Sequence, residues 1–287
     1  MPPLDLSIIE SRLETRWLGR PSNSANELWD SIASTNTRAK ELAALGAPMG
    51  TLVLARQQTA GRGRLGRTWE SPPDAGIYMS IILRSEDRAI YEIPLLTIAA
   101  GVAAVRAIEK ATNVSIGLKW VNDLICDGCK VGGILAEASG ARSPFVVLGM
   151  GINVRLDPLI LPEELRSKVT SLHLHAADAK NANGLEASGR SGETIDSNAI
   201  VANICLELEK LWEQLESSQS DYVLNEWKRN SVTLGQRIRA AIGEKIIEGT
   251  AEDLTTSGAL KVRTDDGSLF ELSAGEIQVR RADGAYC

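Results

Sequence analysis

Histidine and cysteine are scarce in this chain, with 2 and 4 residues among 287. Four cysteines in so long a chain do not form the disulfide framework of a small secreted domain. No apolar run reaches the roughly 18 residues that would suggest a membrane span. Residues 1–5 lack the basic segment and apolar core of a secretory signal. These absences predict a soluble cytoplasmic protein, and with so few histidines no Ser-His-Asp pattern is evident.

An excess of positive charge is also missing. The formal net charge is −6, which argues against a general nucleic-acid binder or a protein that binds anionic membranes. At this length, one large domain with a small appendage is the natural expectation.

One segment, residues 57–69, departs from this acidic balance. Between Leu54 and Trp69 there is no acidic residue. Glycine lets the backbone approach a ligand closely, and arginine offers a planar charged fork that matches carboxylate or phosphate. The segment therefore predicts a loop that closes over a small anion; a solvated basic turn or an RG-type nucleic-acid segment are the alternatives. The alternating residues are Gly61, Arg62, Gly63, Arg64, Gly66 and Arg67.

Hydrophobic periodicity predicts a mixed α/β organisation. Helices are expected at residues 34–45, 94–111, 199–215 and 222–228. Strands are expected at residues 51–55, 77–83, 114–120, 130–137 and 144–150. After Ser231, short strands at 238–242, 246–249, 260–263 and 269–272 indicate a small β-barrel that packs on the larger domain.

Two other segments stand outside this pattern. Residues 1–28 contain a short amphipathic stretch at 8–13 and are too short for an independent domain. Residues 176–197 are rich in Ala, Ser, Asn and Gly, which predicts an exposed and disordered insertion.

The pair Cys126 and Cys129 forms a C-x-x-C, and His173 with His175 could complete a zinc set. The intervening Asp-Gly instead predicts a tight hairpin turn, with the cysteines as small residues on either side of it. We expect no metal or redox role for this pair.

Five motifs in register carry a resemblance to a known family. They surround the Gly61–Arg67 loop and are Ser34-Thr35-Asn36, Ser71-Pro72-Pro73, Lys119-Trp120-Val121-Asn122-Asp123-Leu124, Lys130 through Glu137, and Gly149-Met150-Gly151-Ile152-Asn153. In this order and spacing the chain, from about Trp29 to its C-terminus, closely resembles the biotin protein ligases, also called biotin–[acetyl-CoA-carboxylase] ligases. One departure is Val121, where family members usually have proline; it alters backbone stiffness rather than chemistry.

The resemblance implies an α+β fold. We expect an N-terminal extension at 1–28, then a mixed-sheet catalytic domain of the class II synthetase and biotin–lipoate ligase type at 29–230, interrupted by the 176–197 insertion. A small SH3-like β-barrel at 231–287 would follow. Some family members carry an N-terminal winged helix-turn-helix and act as repressors. Residues 1–28 leave no room for one, so no transcriptional repressor function is expected.

The implied activity is ATP-dependent biotinylation of a specific lysine on a biotin carboxyl carrier protein or domain, through a biotinyl-5′-AMP intermediate. Biotin is the substrate, and ATP with Mg²⁺ activates its carboxylate. The partner would be a biotin-dependent carboxylase, with no DNA and no membrane, in a monomer or a homodimer. Because nearly all the charge to be handled is negative, such an enzyme needs fixed cations more than a nucleophile of its own.

The resemblance also assigns residues to roles. Those expected to be catalytic are Arg64, Lys130 and Lys119; Arg64 would retain the intermediate and Lys130 would bridge the biotin carboxylate and the α-phosphate. Those expected to bind biotin are Ser34, Thr35, Asn36, Gln58, Arg62, Gly63, Arg64, Lys130, Gly132, Gly149 and Gly151. Those expected to bind ATP are Arg62, Arg64, Arg67, Trp69, Lys119, Asn122 and Asn153, with Asp123 near the Mg²⁺.

Some family members stack an aromatic side chain on the adenine from a loop after the Gly-Ile-Asn motif. Here no Phe, Tyr or Trp occurs between Phe145 and Trp212. An aliphatic residue or a histidine such as His173 would have to serve, or the adenine is held differently.

Two rival functions stay open at this point. A lipoate–protein ligase would share the fold and the adenylation chemistry, but its Gly-Gly-Gly run and nearby His-Asp are not present in this sequence. A non-enzymatic regulator could use residues 61–67 to bind nucleic acid, with strong salt dependence and no need for ATP.

Overall fold

The computed structural model describes residues 3–23, 25–84, 93–139, 145–176, 195–242, 245–273 and 277–281. Most of the predicted insertion, residues 177–194, lies outside the described residues. The last residues of the predicted insertion, 195–197, are described and are ordered. Ile195 is buried, and Asp196 caps the next helix by accepting hydrogen bonds from the backbone N–H groups of Asn198 and Ala199.

A seven-stranded sheet forms the centre of the larger unit within the described residues. Its strand order is β1-β2-β3-β7-β6-β5-β4; β1 and β2 are parallel, and every other neighbouring pair is antiparallel. The strands are β1 Glu27–Trp29, β2 Leu52–Ala55, β3 Gly76–Leu83, β4 Gly117–Lys119, β5 Asp123–Cys126, β6 Cys129–Ser139 and β7 Phe145–Asn153.

Helices cover both faces of this sheet. The long helix α3, which is apolar over much of its length, packs with α5 and α6 on one face and is part of the main core. Helix α2 packs on the other face, where Ala39 and Ala43 meet Val53, Ile82 and Val147. The helices are α1 Leu6–Arg12, α2 Thr35–Ala44, α3 Ile93–Thr112, α4 Glu163–Arg166, α5 Ser197–Glu216 and α6 Ser220–Arg229.

None of the helices in the described part of the chain is both long and apolar enough to cross a membrane.

The C-terminal unit is a five-stranded antiparallel sheet with the order β11-β10-β9-β8-β12. It docks on the larger unit, as predicted: the indole Nε1 of Trp120 donates to the carbonyl of Gly258 at 3.1 Å. The strands are β8 Arg237–Ile242, β9 Lys245–Leu254, β10 Leu260–Arg263, β11 Leu269–Leu272 and β12 Ile277–Arg281.

The predicted helices and most predicted strands are confirmed, with shifted ends. The strand expected at 114–120 is only Gly117–Lys119, and three strands, β1, β5 and β12, were not predicted. Short runs carry little periodicity, so some of them, such as β10 and β11, are recognised from sequence and others are missed.

The N-terminal segment is part of the larger unit. Its Ile9 and Leu18 belong to the main core, and the carboxylate of Glu209 on α5 accepts the backbone N–H groups of Arg16 and Trp17 at 2.7 and 2.9 Å. The boundary expected after residue 28 falls inside β1, which pairs with β2.

The Asp-Gly hairpin is confirmed. Cys126 and Cys129 face each other across it, and Asp127 and Gly128 both have positive φ, at 47° and 72°. Burial, assisted by the negative charge of Asp127, raises the pKa of Cys126 to about 11. No cluster of three or more His, Cys, Asp or Glu residues suited to a metal occurs among the described residues.

Candidate active site

One cleft collects most of the predicted site residues. It lies between the N-terminus of α2, the arginine loop (residues 61–67) and the facing surfaces of strands β5, β6 and β7. The predicted residues that line it are Ser34, Thr35, Asn36, Gln58, Arg62, Gly63, Arg64, Arg67, Trp69, Lys119, Asn122, Asp123, Lys130, Gly149 and Gly151.

Gly132 does not line this cleft; its neighbour Gly133 does. The cause is an irregularity in the β5–β6 ladder, where Leu124 pairs with Gly132 but Ile125 pairs with Lys130. The extra residue reverses the alternation of side chains, so Lys130 and Gly133 share a face. A Cβ at Gly133 would lie 3.3 Å from Nζ of Lys130, whereas a Cβ at Gly132 would meet Leu124.

Asn153 also lies away from the cleft. It is buried at the end of β7, and its Nδ2 donates to the carbonyl of Thr170 at 3.0 Å. This amide holds the segment after β7, so the expected contact with ATP has no geometric support. His173 is not among the lining residues either, and its Nδ1 pairs with Oγ of Ser171 at 2.8 Å.

Several lining residues had no predicted role. Most are apolar, and they form the walls between the polar groups. Simple strand alternation from Lys130 leads to Gly132, so both Gly133 and Leu135 would have been found only by recognising the bulge. The additional residues are Leu65, Thr68, Met79, Trp120, Gly133, Ile134, Leu135 and Met150.

One end of the cleft is polar and uncharged. We call it the polar pocket and define it as Ser34, Thr35, Asn36 and Gln58. Oε1 of Gln58 accepts the backbone N–H and the hydroxyl of Thr35 at 2.8 and 3.1 Å. Ser34 is the N-cap of α2 by position, but its hydroxyl makes no capping hydrogen bond. The amide oxygen of Gln58 therefore satisfies one of the free N–H groups at the start of α2, that of Thr35.

Buried Ser80 orders the polar pocket from below. Its hydroxyl lies 2.6 Å from Oδ1 of Asn36 and 2.8 Å from Oγ1 of Thr35. Gly149 allows Asn36 to fit, because a Cβ there would lie only 2.0 Å from the same Oδ1. The pocket thus presents hydroxyl and amide groups in a fixed arrangement, which suits hydrogen bonding to a neutral polar ligand group.

The arginine loop closes on itself at the rim of the cleft. The N–H of Gly63 donates to the carbonyl of Arg67 at 2.7 Å, and the N–H of Trp69 donates to the carbonyl of Gly61 at 2.9 Å. Nη1 of Arg64 reaches across to Oδ1 of Asn122 at 3.1 Å. Burial lowers the pKa of Arg64, yet a guanidinium stays protonated at neutral pH.

Cations dominate the other end. Lys130 forms an ion pair with Asp123, and its Nζ lies 5.3 Å from the centre of the Trp69 ring. Lys119, at the end of β4, is buried, with 5% of its surface exposed. Among the described lining residues, three arginines and two lysines accompany one carboxylate. A fixed excess of positive charge in a half-enclosed cleft stabilises carboxylate and phosphate groups.

The architecture and this cleft define a class of protein, the ligases that join a small carboxylic acid to a protein. A model described as the biotin/lipoate A/B protein ligase family matches residues 28–153, and one described as the biotin protein ligase C-terminal domain matches residues 233–280.

Relatives narrow the class. The chain is 35% identical over 252 residues to the bifunctional ligase/repressor BirA of Bacillus subtilis, covering 87% of this chain and 72% of that protein. It is 32% identical over 284 residues to the biotin–[acetyl-CoA-carboxylase] ligase of Mycobacterium tuberculosis, covering 96% of each. The chain belongs to the biotin protein ligase family and is a biotin ligase by enzymatic class.

A solved structure agrees with the fold. The biotin protein ligase of Aquifex aeolicus in complex with biotin and ATP superposes with a TM-score of 0.73 at 25% identity. The match covers 90% of this chain and 99% of that one. The expected α+β architecture, a mixed sheet with a small C-terminal β domain, is therefore confirmed.

Proposed function

We propose that this enzyme attaches biotin to one lysine of a biotin carboxyl carrier domain, by way of biotinyl-5′-AMP. The observation that carries the proposal is a single cleft that is lined both by the neutral polar pocket and by fixed cations. Biotin has the matching form, a neutral ureido ring joined by an aliphatic chain to a carboxylate.

In this proposal the polar pocket hydrogen-bonds the ureido group through hydroxyl and amide groups. Gly149 and Gly151 shape the site for the bicyclic ring by letting Asn36 and Trp69 lie close against β7, since a Cβ at these positions would come within 2.0 Å of Oδ1 of Asn36 and 2.5 Å of the Trp69 indole nitrogen. Gly133, rather than Gly132, leaves space beside Lys130.

Arg62, Gly63 and Arg64 contact the carboxylate and the adenylate phosphate, and Lys130 bridges the two reactants. Attack of the carboxylate on the α-phosphorus breaks the bond to the β-phosphate oxygen and releases pyrophosphate. It builds negative charge on nonbridging oxygens, and fixed cations stabilise that charge. The salt link between Lys130 and Asp123 supports this role because it holds the ammonium over the cleft. The lysine amine of the carrier then attacks the mixed anhydride and releases AMP.

Arg67, Trp69, Lys119 and Asn122 bind the nucleotide. Asp123 is the single carboxylate among the described lining residues, which fits a Mg²⁺ held mainly by ATP phosphates with one protein oxygen nearby. The Aquifex aeolicus ligase, whose solved complex contains biotin and ATP, supports the choice of substrates.

A carboxylase carrier domain is proposed as acceptor because relatives from Mycobacterium tuberculosis and Paracoccus denitrificans are named biotin–[acetyl-CoA-carboxylase] ligases. The absence of repressor function stays a prediction, since relatives include both a ligase/repressor and ligases named for ligation alone. Cytoplasmic location, the absence of DNA binding and the oligomeric state also stay predictions.

Pyrophosphate release tests the proposal without any acceptor. The purified protein is mixed with ATP·Mg²⁺ and either biotin or lipoate. A burst that requires biotin is expected. A response to lipoate alone would support the same chemistry with a different substrate. No response to either acid would contradict the proposed function.

A further inference from the structure

Glu137, near the end of β6, makes contacts that the assigned roles leave unexplained. One carboxylate oxygen accepts a hydrogen bond from Nη2 of Arg62 and another from Nδ2 of Asn36, both at 2.9 Å. The other oxygen accepts a hydrogen bond from Nζ of Lys40 at 2.6 Å. One carboxylate thus joins the arginine loop, the polar pocket and helix α2.

The contact with Asn36 extends further into the polar pocket. Asn36 pairs through its other amide atom with Ser80, whose hydroxyl also lies beside Thr35. The backbone N–H of Thr35 in turn donates to Oε1 of Gln58 at 2.8 Å. Glu137 therefore stands at the end of a continuous hydrogen-bond network that includes the groups assigned to the ureido ring.

The charge balance of this cluster favours an ionised carboxylate. Burial opposes ionisation, but the hydrogen bonds from Lys40 and Asn36 and the charges of Lys40 and Arg62 lower the pKa of Glu137 below its ordinary value. Two cations share one anion, so the cluster keeps a net positive charge while Arg62 is held in place.

An isolated exposed ion pair would contribute little. This carboxylate is only 23% exposed, and one of its partners is a buried neutral amide. Partly buried pairs are screened less by salt. When several groups share one acceptor, the loss of one partner changes the geometry of the others.

We propose that Glu137 is a positioning residue that couples the polar pocket to the arginine loop, so that ordering Asn36 for the ureido group also holds Arg62 for the carboxylate. The inference rests on the proposed function, because it assigns both ends to one biotin molecule. It predicts that Arg62 and Glu137 act as one unit in biotin recognition.

A double-mutant cycle tests this coupling. Glu137→Gln, Arg62→Ala and the double variant are compared with wild type for the KM of biotin in biotin-dependent pyrophosphate release and for the lifetime of retained adenylate. Each single change should raise KM about tenfold, and the double variant should stay within about twofold of Arg62→Ala, as expected for residues in one network. Glu41→Gln is the control. It removes an exposed ion pair between Glu41 and Arg38, both on α2, and should leave the KM of biotin unchanged.

The melting temperatures of all variants distinguish a positioning role from a purely structural one. A purely structural role would lower the melting temperature, but the effects of the two substitutions on the KM of biotin would not be non-additive. The proposal is overturned if the double variant shows the product of the single effects, or if Glu137→Gln stays within about twofold of wild type. If wild-type protein shows no biotin-dependent release of pyrophosphate, the proposed function is wrong, and the proposed coupling is wrong with it.

Discussion

The cleft and the C-terminal unit both contain close pairs of arginine or lysine with carboxylates, but the settings differ. In the C-terminal unit, Arg237 donates two hydrogen bonds of 2.6 Å to Asp265, and both side chains are largely exposed. At the cleft, the Lys130–Asp123 pair is much less exposed, and Arg62 pairs with a carboxylate, that of Glu137, that is only 23% exposed. Similar contact geometry therefore has different consequences, because water screens the exposed pair more strongly than the partly buried ones.

The largest effect is expected from removing the lysine of the cleft. Lys130→Ala should cost about 3 kcal/mol of transition-state stabilisation, or roughly a hundredfold in rate, because a fixed cation beside the developing phosphate charge is lost. Single-turnover formation of the adenylate measures it. A rate within about threefold of wild type would remove Lys130 from the mechanism.

Arg64→Gly tests retention rather than formation. The guanidinium is half-buried at the rim of the cleft, and its loss should raise the dissociation rate of the adenylate about tenfold, as expected for one charge-assisted contact. Released adenylate should label lysines on unrelated proteins, which blotting with streptavidin detects. Target selectivity equal to that of wild type would contradict this role.

Gly149→Ala should act through packing. The added methyl would lie 2.0 Å from Oδ1 of Asn36, so Asn36 must move out of its hydrogen bonds with Ser80. Overpacking of this kind costs about 1–3 kcal/mol, and the KM of biotin should rise about tenfold with less change for ATP. Gly128→Ala is the matched control, because its Cβ meets no atom within 4 Å, although its positive φ lowers stability.

The smallest effect is expected in the C-terminal unit. The hydrogen bond from Arg237 lowers the pKa of Asp265, so any stability from the pair is present above the ordinary carboxyl pKa and is lost as the pH falls through the lowered value. Asp265→Asn should abolish only the pH-dependent contribution of this pair to the melting temperature, and it should leave the ligase rate unchanged. A drop in rate like that of the cleft variants would end the distinction between the two regions.

Much of this arrangement was predictable from the sequence, because the site residues lie in short motifs that each map to a single loop or strand end. Most of them line one cleft. Gly132 and Asn153 do not, since a bulge in β6 and the end of β7 decide which residues face it. Glu137 stood inside a recognised motif, yet its partners Asn36 and Lys40 come from a helix about 100 residues earlier in the chain. Such long-range contacts are set by packing and cannot be read from local spacing.

Native mass spectrometry gives the most direct test of the central claim, that one cleft activates biotin with ATP. After incubation with biotin and ATP·Mg²⁺ and removal of free ligands, wild-type protein should retain biotinyl-adenylate, and Lys130→Ala should retain little. Wild-type protein that retains no adenylate, or retains one only with lipoate, would contradict the account.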